Sequence, residues 1–206
     1  MAQTLTFYTN PMSRGQIVRW MLEEVGTPYD EVLLEYGTSM KDAPYLAVNP
    51  MGKVPAIKHG DHVITECAAI CAYLADCFPE AALAPALADR ADYYRWLFFA
   101  AGPVESAVTN KAMGFVAPPE RQMMLGYGDL ERVVDVLEGA VAGKSFIAGN
   151  RFSAADVYVG SQIDWGLQFG SFPARPSFEA YVTGLRGRDA YKRAKAIDAA
   201  LMPAPD

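Results

Sequence analysis

The stretch Asn49-Pro50-Met51-Gly52-Lys53-Val54-Pro55-Ala56-Ile57-Lys58-His59-Gly60-Asp61-His62-Val63-Ile64-Thr65-Glu66-Cys67 decides the fold. Asn-Pro-Met-Gly is a turn signal. Val54-Pro55-Ala56-Ile57 behind it reads as a strand that begins at a proline, where the missing N–H is not yet needed. His59-Gly60-Asp61 is a tight connection to His62-Val63-Ile64, so the two runs form a hairpin. From Glu66 to Phe78 the pattern returns to helical periodicity.

Toward the N-terminus, Leu5-Thr6-Phe7-Tyr8 alternates as a strand should and breaks at Asn10-Pro11. Ser13 then opens a helix whose apolar residues Ile17, Val18, Met21, Leu22 and Val25 fall three or four apart, and Gly26-Thr27-Pro28 ends it. Tyr29 to Leu34 is a second strand, and a loop with a short helical stretch leads to Val48. Strand, helix, strand, helix, hairpin, helix is an α/β order with one mixed sheet of four strands, complete within residues 1–78.

Toward the C-terminus, Pro79 to Pro85 is rich in proline and alanine without amphipathic periodicity, and 79–88 is the predicted linker. Residues 89–206 read as an all-helical domain. Helices are expected over Asp89 to about Thr109, Glu120 to about Ala142, Ser153 to about Phe169, Ser177 to Leu185 and Asp189 to Leu201. Ser153 fits the N-cap of the third, with Asp156 at its third helical position as a favourable charge.

The 206 residues are 51% hydrophobic and 20% charged, the balance of a folded globular protein, and 12% aromatic, a surplus that hints at a ligand pocket or an interface. A net charge of −6 repels phosphate backbones and anionic lipid, which argues against nucleic-acid and membrane partners. The opening MAQTLTFYTN has no basic region followed by an apolar one, and no apolar run approaches a membrane span, so a cytoplasmic protein is expected. Cys67, Cys71 and Cys77 share one helix, which suits neither a disulfide framework nor a zinc site. Cys71 and Cys77 are expected as small buried hydrophobes. His59 and His62 flank a hairpin turn, are expected to be exposed, and have no ligand cluster near them, so no metal is expected.

Three passages in order, Asn10-Pro11-Met12-Ser13-Arg14-Gly15, Asn49 to Ile57, and Thr65-Glu66-Cys67-Ala68-Ala69-Ile70, followed later by Phe152-Ser153-Ala154-Ala155-Asp156, resemble the cytosolic glutathione transferases over nearly the whole chain, in the serine-type, theta/beta-like bacterial manner. The resemblance implies a thioredoxin-like N-terminal domain that binds glutathione as co-substrate, and an all-α C-terminal domain that holds an apolar electrophile. It also implies a homodimer and a cis Val54–Pro55 peptide that presents the Val54 backbone to glutathione as an added strand would. Glu66 would meet the γ-glutamyl ammonium and Lys53 the glycine carboxylate. Where the commonest family pattern has serine this chain has Cys67, a poorer donor, so its backbone N–H is expected to hold the γ-glutamyl carboxylate, with weaker affinity.

The chemistry so implied is addition of a thiolate to an electrophilic carbon. A thiol of pKa about 8.5 is only about 3% ionised at pH 7, and lowering it by about two units takes roughly 2.7 kcal/mol. One hydroxyl donor at a helix start supplies about that much. Ser13 is that hydroxyl by position, against the alternative of an ordinary N-cap serine. Tyr8 is its rival, and Asn10 and Arg14 are secondary candidates near the sulfur. For the electrophile, Tyr94, Phe98, Met113 and Phe115 are the expected wall. A glutathione-dependent disulfide oxidoreductase or isomerase would need a low-pKa cysteine near Ser13. A non-catalytic transferase-like interaction module is the third reading.

Overall fold

The computed structural model describes residues 4–202. They form two compact units, one made from the described residues of Met1–Ala82 and Arg188–Asp206, the other from Leu83–Gly187.

In the first unit the elements run β1 (Leu5–Thr9), α1 (Gly15–Val25), β2 (Asp30–Leu33), α2 (Ala43–Leu46), β3 (Ala56–His59), β4 (His62–Thr65) and α3 (Cys67–Cys77). The sheet order is β2-β1-β3-β4, with β2 parallel to β1, and both the β1–β3 and β3–β4 pairs antiparallel. This is the expected mixed four-stranded sheet. Alternation along β1 buries Leu5, Phe7 and Thr9 on one face while Thr6 and Tyr8 lie half-buried on the other. The α1 stripe of Ile17, Val18, Met21 and Leu22 is fully buried, and Gly26 closes the helix at φ 74° with its N–H on the Leu22 carbonyl.

The second unit contains α4 (Ala91–Phe99), α5 (Glu105–Ala112), α6 (Leu130–Val141), α7 (Ala154–Gln168) and α8 (Pro176–Arg186). The expected helix over 89–109 is interrupted by a π-helical segment, Ala100–Val104, at Pro103, whose missing N–H cannot serve the α-helical ladder. The helix expected from Glu120 begins only at Leu130. Pro118-Pro119 and Gly126-Tyr127-Gly128 break the pattern, and Asp129 caps the true start by accepting the Arg132 N–H at 2.8 Å. The Ser153/Asp156 capping box forms as read. Asp156 is more than a cap: buried, it also accepts the Ile147 N–H at 2.7 Å and the Tyr181 hydroxyl at 2.8 Å, joining the preceding loop and α8 to α7.

The division departs from the sequence reading at one end. The last helix, α9 (Asp189–Leu201), belongs to the first unit and packs on α1. Arg19 of α1 is 1% exposed; its Nε donates to Asp198 at 2.7 Å, Nη1 to the Tyr29 hydroxyl at 3.1 Å and Nη2 to Glu31, with the guanidinium carbon 5.3 Å from the centre of the Phe7 ring. Burial opposes the Arg19 charge, but the bonds to Asp198 and Glu31 outweigh it and hold the side chain protonated. Trp20 against Tyr191 and the Arg188–Glu24, Arg193–Glu23 and Lys195–Gln16 contacts complete the seam. The other boundary falls between Ala82 and Leu83, inside the predicted linker; the Leu83 carbonyl accepts the Ala154 N–H at 2.8 Å.

Two smaller expectations fail. Cys71 is buried as expected, but Cys77 is exposed. His59 is half-buried, stacked on Phe78 with its Nδ1 3.1 Å from the Tyr73 hydroxyl. Both follow from the packing of α3 beside β3, which helical spacing alone does not orient.

Replacing Arg19 by alanine strands the buried Asp198 carboxylate and is expected to lower unfolding free energy by about 3–5 kcal/mol, whereas Arg19→Met with Asp198→Leu recovers most of that loss. Chemical denaturation of the three proteins measures it.

Candidate functional site

Strand register brings the sequence-predicted residues together. Ala56 pairs with Tyr8 on one side and Thr65 on the other, so the β1–α1 turn, the Val54–Pro55 segment and Glu66 emerge at the same end of the sheet. The Cys67 thiol lies 3.5 Å from the Arg14 carbonyl, setting the N-terminus of α3 beside that of α1.

Both turns are built by the same device. Asn10-Pro11-Met12 and Asn49-Pro50-Met51 each form an Asx turn: the Asn10 Oδ1 accepts the Met12 N–H at 2.9 Å, and the Asn49 Oδ1 accepts the Met51 N–H at 3.1 Å. Each amide group then reaches across. Asn10 Nδ2 donates to the Leu34 carbonyl at 2.8 Å, and Asn49 Nδ2 donates to the Lys53 carbonyl at 2.7 Å. Asn10 thus serves the loop with its side chain.

The Lys53 carbonyl receives a second donor, the Tyr45 hydroxyl at 2.6 Å, and Lys41 Nζ donates to the Gly52 carbonyl at 2.8 Å. Burial pushes Tyr45 up to about 12, so it stays a proton donor through the neutral range. Tyr45 also joins Leu34 and Met40 in a small core against which Tyr8 and Val54 pack. The Val54–Pro55 peptide is cis, as the resemblance implies. No backbone hydrogen bond is formed by the Val54 N–H or carbonyl among the described residues. The Lys53 side chain is exposed.

Glu66 is exposed and occupies the N-cap of α3 at φ 65°, ψ 115°, a backbone conformation uncommon outside glycine. Its side chain takes none of the first-turn N–H groups. Cys67 is buried, at 8% exposure, and its thiol is turned toward the Arg14 carbonyl.

Ser13 is buried and lies one residue ahead of the α1 N-cap, Arg14, so it is not the N-cap serine of the alternative reading. Its hydroxyl donates to the Asn10 carbonyl at 2.6 Å and accepts the Gly15 N–H at 2.9 Å. Arg14 is exposed. Tyr8 points to the sheet face opposite Thr9, with its ring centre 5.6 Å from that of Tyr45, whereas Thr9 faces Gly15 at the start of α1.

In the second unit Tyr94, Phe98, Met113 and Phe115 are all exposed. Phe115 lines a cavity of about 210 Å³ with Ala107, Lys111, Leu125, Tyr127 and Leu130. Residues the sequence reading passed over are Lys41, Tyr45 and Asn49, which hold the 51–53 carbonyls, and Gly15. The repeated Asn-Pro-Met was the available signal for Asn49; nothing in the sequence pairs Lys41 or Tyr45 with the loop.

Residues 3–76 match the model of the glutathione S-transferase N-terminal domain, and residues 107–189 match that of the C-terminal domain. The chain belongs to the glutathione S-transferase family. This transferase is 27% identical to glutathione S-transferase 3 of Zea mays over 98% of its own length and 96% of the maize protein. It is 30% identical to the probable glutathione S-transferase GSTF2 of rice over 78% of each. It is also 30% identical to the disulfide-bond oxidoreductase YghU of Escherichia coli, over 75% of this chain and 58% of that protein. Among solved structures, a glutathione transferase from Methylococcus capsulatus superposes with a TM-score of 0.78 at 27% identity, covering 96% of this chain and all of the other. One from Xylella fastidiosa reaches 0.79 at 24% identity, over 95% and 98%.

Gly52 adopts φ 57°, and a Cβ there would stand 2.7 Å from the Met40 carbonyl oxygen. Gly52→Ala is therefore expected to cost about 1–3 kcal/mol and lower the thermal midpoint. Calorimetry against wild type checks this.

Proposed function

We propose that this enzyme adds the thiolate of glutathione to apolar electrophiles, with Ser13 as the donor that stabilises the thiolate. The observation that carries the reading is the convergence at one sheet end of three complementary features: the Val54 backbone without backbone partners, the start of α3 at Glu66, which has no side-chain cap, and the buried Ser13 hydroxyl. Glutathione offers matching groups. Its cysteinyl amide pairs with Val54 as an added strand, its γ-glutamyl carboxylate meets the N–H groups and dipole of α3, its ammonium meets Glu66, and its glycine carboxylate meets Lys53.

The Ser13 hydroxyl is poised to change partners. When its proton turns from the Asn10 carbonyl to the sulfur, that carbonyl keeps the Ser13 N–H, which already donates to it at 3.0 Å. The Gly15 N–H stays on the Ser13 oxygen and polarises the hydroxyl. Tyr8 lies on the sheet face opposite Thr9, packed with Val54 against Tyr45, and stays the rival donor. Arg14, exposed one residue on, adds positive charge at the same turn.

The apolar acceptor is assigned to the exposed side chains of the helical unit, Tyr94, Phe98, Met113 and Phe115, and the working form to a cytoplasmic homodimer, both on the family resemblance. Disulfide exchange is the less favoured reading. Of the three cysteines none replaces Ser13, and burial pushes the Cys71 thiol up to about 12, where it is inert.

Conjugation of a chromogenic aryl halide tests the assignment. Ser13→Ala is expected to retain binding to immobilised glutathione and to lose about ten- to a hundredfold in kcat at neutral pH, the worth of one hydrogen bond to a charged group. Undiminished activity in Ser13→Ala with loss in Tyr8→Phe would transfer the role to Tyr8. Failure of the wild type to bind immobilised glutathione would overturn the reading.

A further inference from the structure

Thr9 ends β1 with its side chain fully buried, and its hydroxyl has no hydrogen-bond partner. A buried hydroxyl without a partner is costly, and a valine of the same shape would avoid the cost. The oxygen lies against the backbone of Gly15. A Cβ placed on Gly15 would fall deep inside contact distance of Thr9 Oγ1 and 2.9 Å from Ser13 Oγ, so both hydroxyl oxygens crowd the one position a side chain there would take. Glycine leaves that position open.

A hydroxyl oxygen has two acceptor positions. The Gly15 N–H fills one on Ser13 Oγ, and the proton of that hydroxyl is committed to the Asn10 carbonyl. We propose that Thr9 is a positioning residue for Ser13, its hydroxyl becoming the second donor to Ser13 Oγ when the Ser13 proton turns toward the glutathione sulfur. The inference rests on the reading of Ser13 as the thiolate's donor. No proton changes owner: Thr9 O–H donates to Ser13, and Ser13 O–H donates to sulfur. An oxygen that accepts two hydrogen bonds is itself a stronger donor. Thr9 thereby lowers the pKa of the bound thiol from inside the domain, without touching glutathione. The same geometry explains why a polar residue ends a strand whose other inward residues, Leu5 and Phe7, are apolar.

The test is a titration of the ultraviolet thiolate absorbance of glutathione bound to wild type, Thr9→Val, Thr9→Ser and Ser13→Ala, alongside kcat and KM for conjugation. Thr9→Val is expected to raise the pKa of the bound thiol by about 0.3–1 unit, which for a thiol held at about 6.5 is a roughly 1.2- to threefold smaller thiolate population at pH 7, with KM for glutathione unchanged. Thr9→Ser is expected to restore the wild-type value. Should the valine variant fail to fold, Thr9→Ala removes the same hydroxyl with less bulk and is read in the same way. A bound-thiol pKa that stays at the wild-type value in Thr9→Val, whatever the thermal midpoint does, overturns the role of Thr9. If Ser13→Ala raises that pKa while Thr9→Val does not, only the Thr9 inference falls. If neither variant moves it, the assignment of Ser13 falls as well.

Discussion

Ala56 sits between Tyr8 and Thr65 in the sheet, and the candidate site depends on that register. A slip of one residue in either pair would turn the inward face of β3 outward and carry Val54–Pro55 or Glu66 away from the β1–α1 turn. Backbone pairing thus brings together segments more than forty residues apart along the chain. The side chains then finish the work locally: two Asx turns, from Asn10 and Asn49, shape the two loops at this end of the sheet, and a hydroxyl and an amide from Tyr45 and Asn49 hold the carbonyl just before Val54.

Buried charge organises each unit. In the first, Arg19 gathers β2, α1 and α9 through Glu31, Tyr29 and Asp198. In the second, Asp156 gathers the loop at Ile147, the start of α7 and Tyr181 of α8. Such groups are tolerable in a low-dielectric interior only when their bonds are satisfied together, so each acts as a many-armed clamp whose loss removes several attachments at once. The Arg19 clamp also fastens α9 to the helix whose first turn carries the β1–α1 loop.

Strand and helix order were legible because they are local: alternation in Leu5–Thr9, apolar spacing in α1, and the glycine and proline stops between elements. The capping box at Ser153 was legible for the same reason. Misreadings came where a local pattern was compatible with two outcomes. Residues 120–129 carry helix-forming composition, but the diproline before them and the two glycines within outweigh it. The face of α9 bearing Ala190, Ala194 and Asp198 reads as amphipathic wherever it packs, and Cys77 reads as a small hydrophobe whether its side of α3 is covered or open.

By itself the sequence determined the α/β-then-helical order, the family, and the candidates Ser13, Val54, Pro55 and Glu66, since turn chemistry, periodicity and short motifs are properties of neighbouring residues. Only the tertiary structure decided that α9 returns to the first unit, that Asn10 builds the loop, that Tyr8 packs on Tyr45 while Thr9 faces Gly15, and that an unpartnered Thr9 hydroxyl is pressed against Gly15 near Ser13. Each of these depends on which distant surface a side chain meets. Pairing, burial and the satisfaction of buried polar groups settle that in three dimensions, and no window along the chain contains it.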